Sequence, residues 1–408
     1  MATSGARPSP EPIFFIEPYA HQRNGHSQAA LVALSAAATA EGLEAFVVAL
    51  SQPLPPDIRA ALSAAGATIV DRASLRGRSS RALRSGEALL RRVVAWEARA
   101  DAAETSWPYQ TRLFARALAE AAGVRAARSL RRNGTIVILT ASELLIGFSC
   151  YLAGHRHIRI VHSAHHREGR LVRATERLCA GGRARSAVWC PTAGVAAEVR
   201  RRYPDIAPEV RPFAVVEPGQ RITERERAAA RQRLGLAADE VVAVVIGGWQ
   251  SYKDPLTAME GLSGARTRLT VIVAGSPIDV DSALRYRTSS CRVLPFAGPL
   301  EPAAMRSLYA AATFSVVSRV AGFVTESGLV MDAAKLGVPL VMSDNDPDLV
   351  RRLAGAPWAA VFRAGDSSSL ARTVDGLELP PPRPPDTAPA LLGMLTSTQM
   401  VRAFRQPT

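Results

Sequence analysis

Lysine is nearly absent from this basic sequence. Of the 50 lysine and arginine residues in the chain, only Lys253 and Lys335 are lysines. Lysine carries a compact charge on a flexible stem, whereas arginine carries a wide planar fork. The use of lysine at position 253, in a chain that otherwise uses arginine, therefore raises the question of whether this position needs a point charge.

Long hydrophobic runs and cysteine motifs are also absent. The longest apolar stretch, residues 144–154, is shorter than the roughly 18–20 residues of a membrane span. The first dozen residues are polar and proline-rich, unlike a signal peptide, so we expect a cytoplasmic protein. Cys150, Cys179, Cys190 and Cys291 are scattered without a CxxC motif, which predicts buried free thiols rather than disulfides or a zinc site.

Acidic residues are too few to balance the charge, and the net charge is +14. Much of the excess falls in residues 72–92 and 125–132. Such a field attracts nucleic acid, anionic lipid or phosphorylated ligands. No zinc finger, RNA-binding aromatic motif or basic coiled coil accompanies it, so we expect no nucleic acid partner. An ordinary solvated surface and peripheral contact with the anionic inner face of a membrane both remain open.

Short apolar runs alternate with Ala-, Leu- and Arg-rich amphipathic segments. The runs lack a polar alternation, which is typical of parallel strands covered on both faces. Helices between them imply right-handed crossovers, and therefore two doubly wound, Rossmann-like α/β domains. The predicted strands are residues 13–17, 44–50, 135–140, 158–163, 186–190, 240–247, 268–275, 292–298, 313–318 and 338–343.

Helix starts and proline positions suggest the domain boundaries. Ser27 is a predicted helix cap, and Pro255 and Pro302 stand where the first turn of a helix accepts proline. The first domain is expected over residues 11–218 and the second over 219–378. Residues 379–408 begin with a proline-rich stretch, 379–389, that we expect to be non-helical. A helix then leads away from the second domain, and packing against the first domain is one arrangement for it.

Two doubly wound domains facing each other would form a ligand cleft at the carboxyl ends of their strands. Each loop expected there could by itself be an ordinary turn or cap. A helix beginning near Ser327 and Gly328 would favour an anion at its N-terminus. Lys253 would stand beside a diphosphate and neutralise its developing charge. The four strand-end loops are residues 17–27, 162–169, 247–254 and 318–341.

The order of motifs in the second half resembles the retaining family 4 type of GT-B glycosyltransferases. The resemblance covers roughly residues 13–377. Gly248 matches the glycine that precedes the family lysine by five residues, and Lys253 matches that lysine, which binds the donor diphosphate. Asp332 matches the second carboxylate of the paired-glutamate motif, which implies contact with the ribose hydroxyls. Phe296 lies in the segment that matches the family's nucleobase-contacting strand, which implies contact with the base.

The chain departs from the family pattern at two positions. Trp249 occupies the place of an arginine that also binds phosphate, and Arg319 is a candidate to replace that charge. Val324 occupies the place of the first glutamate of the pair. Glu326 is the nearby carboxylate that could take over its role at the sugar.

The resemblance also implies acceptor-side residues in the first domain. Asn24, Gly25 and His26 match the glycine loop near the acceptor. His165 matches the histidine that lies near the transferred sugar in the family.

The resemblance implies an enzyme that moves a sugar from a nucleoside-diphosphate sugar to a hydroxyl of a glycan, lipid-linked or small natural-product acceptor. It implies retention of configuration, no cofactor and no metal, with a UDP-sugar favoured over a GDP-sugar. The acidic stretches 279–281 and 344–348 are predicted helix caps rather than metal ligands. The alternative is a glycosyltransferase-like protein without activity, serving as a nucleotide-sugar-binding or scaffolding partner. A nicotinamide-dependent oxidoreductase is disfavoured, since no GxGxxG follows a predicted strand.

Overall fold

The computed structural model describes residues 10–18, 20, 25–49, 53–71, 85–86, 88, 107–164 and 169–406, with only the backbone described at 25–27 and 108. The chain divides into two compact units. Unit 1 combines Met1–Val215 with Leu395–Thr408, and unit 2 is Val216–Met394. Within the described ranges, no helix has the length and apolar character to cross a bilayer.

Unit 1 contains a seven-stranded parallel sheet with the order β3-β2-β1-β4-β5-β6-β7. The strands are β1 Pro12–Ile16, β2 Glu44–Val48, β3 Thr68–Val70, β4 Thr135–Ala141, β5 His157–Val161, β6 Ser186–Cys190 and β7 Glu209–Val210. The helices are α1 Gly25–Ala40, α2 Pro56–Ala64, α3 Trp107–Leu130, α4 Ile146–Ala153, α5 Arg170–Leu178, α6 Ala193–Arg202 and α15 Ser397–Arg405. The strand order reverses between β1 and β4, which makes the sheet doubly wound.

Alternate residues of the central strand enter two different cores. Phe14 and Ile16 belong to one buried cluster, whereas Ile13 and Phe15 belong to the other. Successive side chains of a strand point to opposite faces, so a strand buried on both sides must be apolar throughout. This explains why the apolar runs of the sequence show no alternation.

Unit 2 contains a six-stranded parallel sheet with the order β10-β9-β8-β11-β12-β13. The strands are β8 Val242–Ile246, β9 Leu269–Gly275, β10 Cys291–Ala297, β11 Phe314–Val317, β12 Leu340–Ser343 and β13 Ala359–Phe362. The helices are α7 Glu224–Arg233, α8 Pro255–Gly264, α9 Val280–Leu284, α10 Pro302–Ala311, α11 Gly328–Leu336, α12 Pro347–Leu353, α13 Ser367–Asp375 and α14 Ala388–Leu391. Here the order reverses between β8 and β11, so the carboxyl ends of these two strands flank the switch point.

The predicted fold class is confirmed, and every predicted strand is present. Three strands were not predicted: β3, β7 and β13 have only two to four residues. Strands β3 and β7 carry too few apolar residues to stand out from loops, and β13 begins with two alanines, which favour strands only weakly. The predicted caps at Asp279 and Asp346 are present, since both side chains accept backbone hydrogen bonds from the helices that follow.

Two helix boundaries differ from the prediction. Helix α1 begins at Gly25, so Ser27 lies inside the helix and is not its cap. The proline-rich stretch was expected to be non-helical through Pro389, but Ala388 and Pro389 form the start of α14. Proline is accepted there because the N–H groups of a first turn have no intrahelical partner.

Helix α15 packs within unit 1. Phe404 stacks on Trp189 with a centroid distance of 5.0 Å, and it also meets Phe15 edge to face. The four cysteines are free thiols, and three of them are buried. Cys179 is only half-buried because it follows the last residue of α5 at the surface, so the prediction of a buried thiol is wrong there.

Candidate donor-binding site

The loop after β8 lies tightly against the loop after β9. The backbone N–H of Gly247 donates to the carbonyl of Ala274 at 2.7 Å, and that of Trp249 donates to Pro277 at 2.6 Å. A Cβ at Gly248 would lie 2.0 Å from the carbonyl oxygen of Ser276. Only glycine fits such a backbone approach, so Gly248 has a local structural reason to be present.

Lys253 ends a 3₁₀ turn, Ser251–Lys253, in this loop. Its ammonium lies close to the backbone of Gly247, where an added Cβ would meet Nζ at 2.7 Å. Burial, together with the charge of Arg319, lowers the pKa of Lys253 from 10.5 to about 8. Lys253 forms no ion pair with any carboxylate in the described ranges.

Arg319 follows β11 and is a second buried cation, with 7% of its surface exposed. Its guanidinium lies over the rings of Tyr252 and Phe323, at 5.2 and 5.5 Å from their centroids. One Nη donates to Ser327 Oγ at 3.4 Å, and the backbone N–H donates to Ser343 Oγ at 2.9 Å. Burial lowers the pKa of Arg319 as well. It too has no carboxylate partner among the residues that the structure describes.

Other polar groups around Lys253 also lack partners. Trp249 Nε1 and Ser318 Oγ are buried without a hydrogen bond in the described part of the chain. Both residues line a small cavity with Gly248, Lys253 and the first turn of α11, at Leu329. Buried polar groups are normally satisfied, and an unpaired buried charge is costly. An anion that accepts hydrogen bonds would satisfy these groups together.

Asp332 lies in the second turn of α11 and is 2% exposed. It forms a 2.7 Å ion pair with Lys335, the other lysine of the chain. The charge of Asp332 also contributes to the raised pKa of the buried Tyr309. Phe296 is half-buried at the end of β10, where it packs on a cluster of unit 2.

The loop that carries Glu326 is fixed by neighbouring side chains. Phe323 stacks on Tyr252 with a centroid distance of 4.4 Å and an interplanar angle of 15°. Asn345 Nδ2 donates to the carbonyl of Phe323 at 2.6 Å. Glu326 itself is half-buried just before α11, next to Ser327.

Sequence reasoning missed the supports of this site. Tyr252 and Phe323 are more than 70 positions apart, and Arg319 is more than 60 positions from Tyr252. No spacing signal links such residues, because they meet only when two strand-end loops pack. The one available signal was the presence of an aromatic residue directly before Lys253.

The sequence matches no protein-family model, and no curated protein matches it. Solved structures are similar in fold. Alr3699/HepE from Anabaena, in complex with UDP, has a TM-score of 0.64 and 12% identity over 96% of this chain and 98% of that one. A glycosyltransferase from Rickettsia africae ESF-5 has a TM-score of 0.59 and 9% identity over 97% of this chain and 92% of that one. WaaG, a glycosyltransferase involved in lipopolysaccharide biosynthesis, has a TM-score of 0.56 and 12% identity over 97% of this chain and 100% of that one.

The chain has the GT-B fold. In this fold the cluster of Lys253 and Arg319 belongs to unit 2, at the carboxyl ends of β8 and β11. The structure therefore brings together Gly248, Trp249 and Lys253 in one cavity, and Arg319 with Ser327 beside the start of α11.

The predicted acceptor-side residues of unit 1 are only partly described. Asn24 and His165 lie outside the described residues. Gly25 and His26 are the first two residues of α1, and only their backbone is described. His162, in the same predicted loop as His165, donates from Nε2 to the carbonyl of Leu139 at 2.7 Å. Burial lowers the pKa of His162 to about 4, so it is a half-buried, neutral imidazole that is already hydrogen-bonded.

Proposed function

We propose that this GT-B protein is a glycosyltransferase that uses a nucleoside-diphosphate sugar as donor. The observation that carries the proposal is the pair of largely buried cations, Lys253 and Arg319, which have no carboxylate partner in the described residues. A diphosphate would supply the missing negative charge, and a helix N-terminus beside it adds favourable dipoles. A UDP-sugar is favoured, because the similar HepE structures are complexes with UDP or UDP-glucose.

The donor would be held by groups of different chemistry. Lys253 and the backbone around Gly248 would bind the diphosphate, with Arg319 in place of the arginine that Trp249 replaces. The Asp332 carboxylate would accept hydrogen bonds from the ribose hydroxyls, and the strand end at Phe296 would meet the base. Lys335 pairs with Asp332 through one carboxylate oxygen, Oδ1, at 2.7 Å.

The proposed reaction needs no metal and proceeds with retention. The bond between the anomeric carbon and the phosphate oxygen breaks, while the acceptor hydroxyl oxygen bonds to that carbon from the same face. The hydroxyl proton passes to an oxygen of the departing diphosphate. Glu326 and His165 would contact the transferred sugar, and the segment Asn24, Gly25 and His26 would lie on the acceptor side.

The acceptor is proposed as a glycan, a lipid-linked carrier or a small natural product, in the cytoplasm. The second candidate is a nucleotide-sugar-binding protein without transferase activity. Two observations favour it: Val324 stands where the resemblance implies a glutamate, and Trp249 where it implies an arginine. Binding of a nucleotide sugar without any sugar transfer would favour this candidate.

The donor site is tested by thermal stabilisation of the full chain with UDP, GDP and their glucose conjugates. We expect a shift with UDP and UDP-glucose that is lost in Lys253→Ala. Arg266→Ala is the matched control, since it removes one charge from the exposed surface of unit 2. Lys253→Ala should also lower turnover by about 10²–10³, the scale of losing one preorganised charge at a developing anion. A folded protein that no nucleotide stabilises would contradict the transferase and the nucleotide-sugar-binding protein, and would favour the scaffolding partner.

A further inference from the structure

Helix α5 presents an unusual surface on unit 1. It is anchored by Val172 and Glu176, which are buried. Leu171 and Leu178 lie seven residues apart on the opposite side, and they are 48% and 89% exposed. Residues seven apart lie nearly one above the other on a helix. The exposed side of α5 therefore carries a leucine stripe.

An arginine stripe runs beside these leucines. Arg170, Arg173 and Arg177 are all exposed on α5. They occupy the helix positions next to the leucine stripe, three and four residues apart. None of the three forms an ion pair within the described part of the chain. No carboxylate within the described ranges therefore neutralises their charges.

Two exposed aromatic residues belong to the helices that pack near the two ends of α5. Gly169, which precedes α5, lies against the side chain of Gln110, one helical turn after Trp107. At the other end, Gly182 lies against the backbone of Tyr151 in α4. Trp107 and Tyr151 are each 59% exposed.

We name the α5 face as the set of Trp107, Tyr151, Leu171 and Leu178 with Arg170, Arg173 and Arg177. It holds four of the five exposed large hydrophobic residues in the described part of unit 1, the fifth being Val210. Scattered single apolar residues are normal on a surface, but a group of them on neighbouring helices marks an interaction site.

The helix is held firmly in this orientation. Glu176 accepts hydrogen bonds from the backbone N–H groups of Gly147 and Phe148, at 2.8 and 3.3 Å. Arg183 pairs with the same carboxylate at 2.8 Å. These buried contacts cap α4 with a residue of α5, so the leucines cannot turn inward without breaking them.

We propose that the α5 face docks on the surface of an anionic lipid bilayer. Leucine, tryptophan and tyrosine side chains partition into the interfacial zone, and adjacent arginines bind the lipid phosphates. The combination of exposed apolar residues with unpaired arginines favours anionic lipid over a neutral protein partner. This docking is independent of the donor site in unit 2, and its test does not use nucleotide.

The experiment is co-sedimentation of the full chain with vesicles. One set contains phosphatidylglycerol and phosphatidylcholine in equal parts, and the other contains phosphatidylcholine alone. We expect binding to the first set and at least tenfold weaker binding to the second. The double variant Leu171→Ser/Leu178→Ser should bind the anionic vesicles about tenfold less tightly or weaker.

A charge variant and a matched control separate the α5 face from the general positive charge. Arg170→Gln/Arg173→Gln/Arg177→Gln should weaken binding about 100-fold, since each arginine near an anionic surface contributes about fivefold. Val210→Ser/Leu391→Ser removes two exposed apolar residues elsewhere and should bind like the wild type. The proposal is overturned if the wild type ignores anionic vesicles. It is also overturned if both α5 variants, shown to be folded, bind as the wild type does.

Discussion

Replacing Lys253 by methionine should stabilise the protein in the absence of ligand. Methionine keeps a long flexible side chain but removes the charge. Burial and the Arg319 charge lower the pKa of Lys253 from 10.5 to about 8, so the folded state disfavours the ammonium. One pKa unit corresponds to about 1.4 kcal/mol. After a discount for the partial solvent access of this side chain, we expect about 1–3 kcal/mol of added stability at pH 7.

The pH dependence follows from the same shift. Between pH 8 and 10.5 the folded wild type binds fewer protons at Lys253 than the unfolded chain does. The contribution of Lys253 to folding stability therefore rises with pH over that window. Below pH 8 the destabilisation by its ammonium is fully present. The gain in unfolding free energy of Lys253→Met over the wild type should fall by roughly half or more between pH 7 and pH 9.5.

Calorimetry at pH 7 and pH 9.5, with and without UDP, measures both effects. For a unit of this size, 1 kcal/mol corresponds to about 2–4 °C in Tm. Lys253→Met should therefore raise the ligand-free Tm by about 2–10 °C at pH 7. The same variant should lose most of the Tm increase that UDP gives to the wild type, because the diphosphate loses a countercharge.

Lys335→Met is the matched control, since it changes the only other lysine of the chain. Lys335 is ion-paired with the buried Asp332, so its loss leaves a buried carboxylate without its cation and should lower the ligand-free Tm. The reasoning is refuted if Lys253→Met lowers the ligand-free Tm at pH 7 as Lys335→Met does. Lys253 would then be a stabilising structural residue and not an unsatisfied cation kept for an anion.

Two further predictions test the donor site, and a third tests a buried ion pair of unit 1. Gly248→Ala places a Cβ against a backbone carbonyl of the neighbouring loop, so it should lower the unfolding free energy by about 2 kcal/mol and abolish the UDP-induced Tm shift. As the control, the added Cβ of Gly264→Ala meets open space, and its effect on stability should be near neutral. Asp332→Asn should weaken UDP binding at least tenfold in calorimetric titration, and unchanged affinity would remove the ribose assignment. Glu120→Gln breaks a fully buried ion pair in unit 1 and should cost about 3–5 kcal/mol in urea denaturation, whereas Glu41→Gln breaks an exposed pair and should cost less than about 1 kcal/mol.

The positions of the strands and the identity of the fold were predictable from local patterns. Apolar runs without alternation at 135–140 and 268–275 are typical of strands buried on both faces, and the helices between such runs favour parallel pairing. Pro255 and Pro302 begin helices as predicted, because the first turn has no use for their missing N–H.

The environment of Lys253 was not predictable in the same way. Its lowered pKa depends on burial and on Arg319, which is 66 positions away in the chain. The stack of Tyr252 on Phe323, which holds Arg319, is likewise a contact between two loops. Similarly, the family resemblance implied a role for Asp332 but not its ion pair with Lys335.

The sequence by itself determined most elements of the fold, because strand and helix patterns depend on neighbours within a few residues. It also marked the candidate positions, since glycine, lysine and carboxylate spacings along a strand-end loop are local. Only the tertiary structure decided which of those groups share one environment and which are already satisfied. Charge, burial and hydrogen bonding at Lys253 and Arg319 depend on loops that follow different strands, and these come together only when the sheet forms.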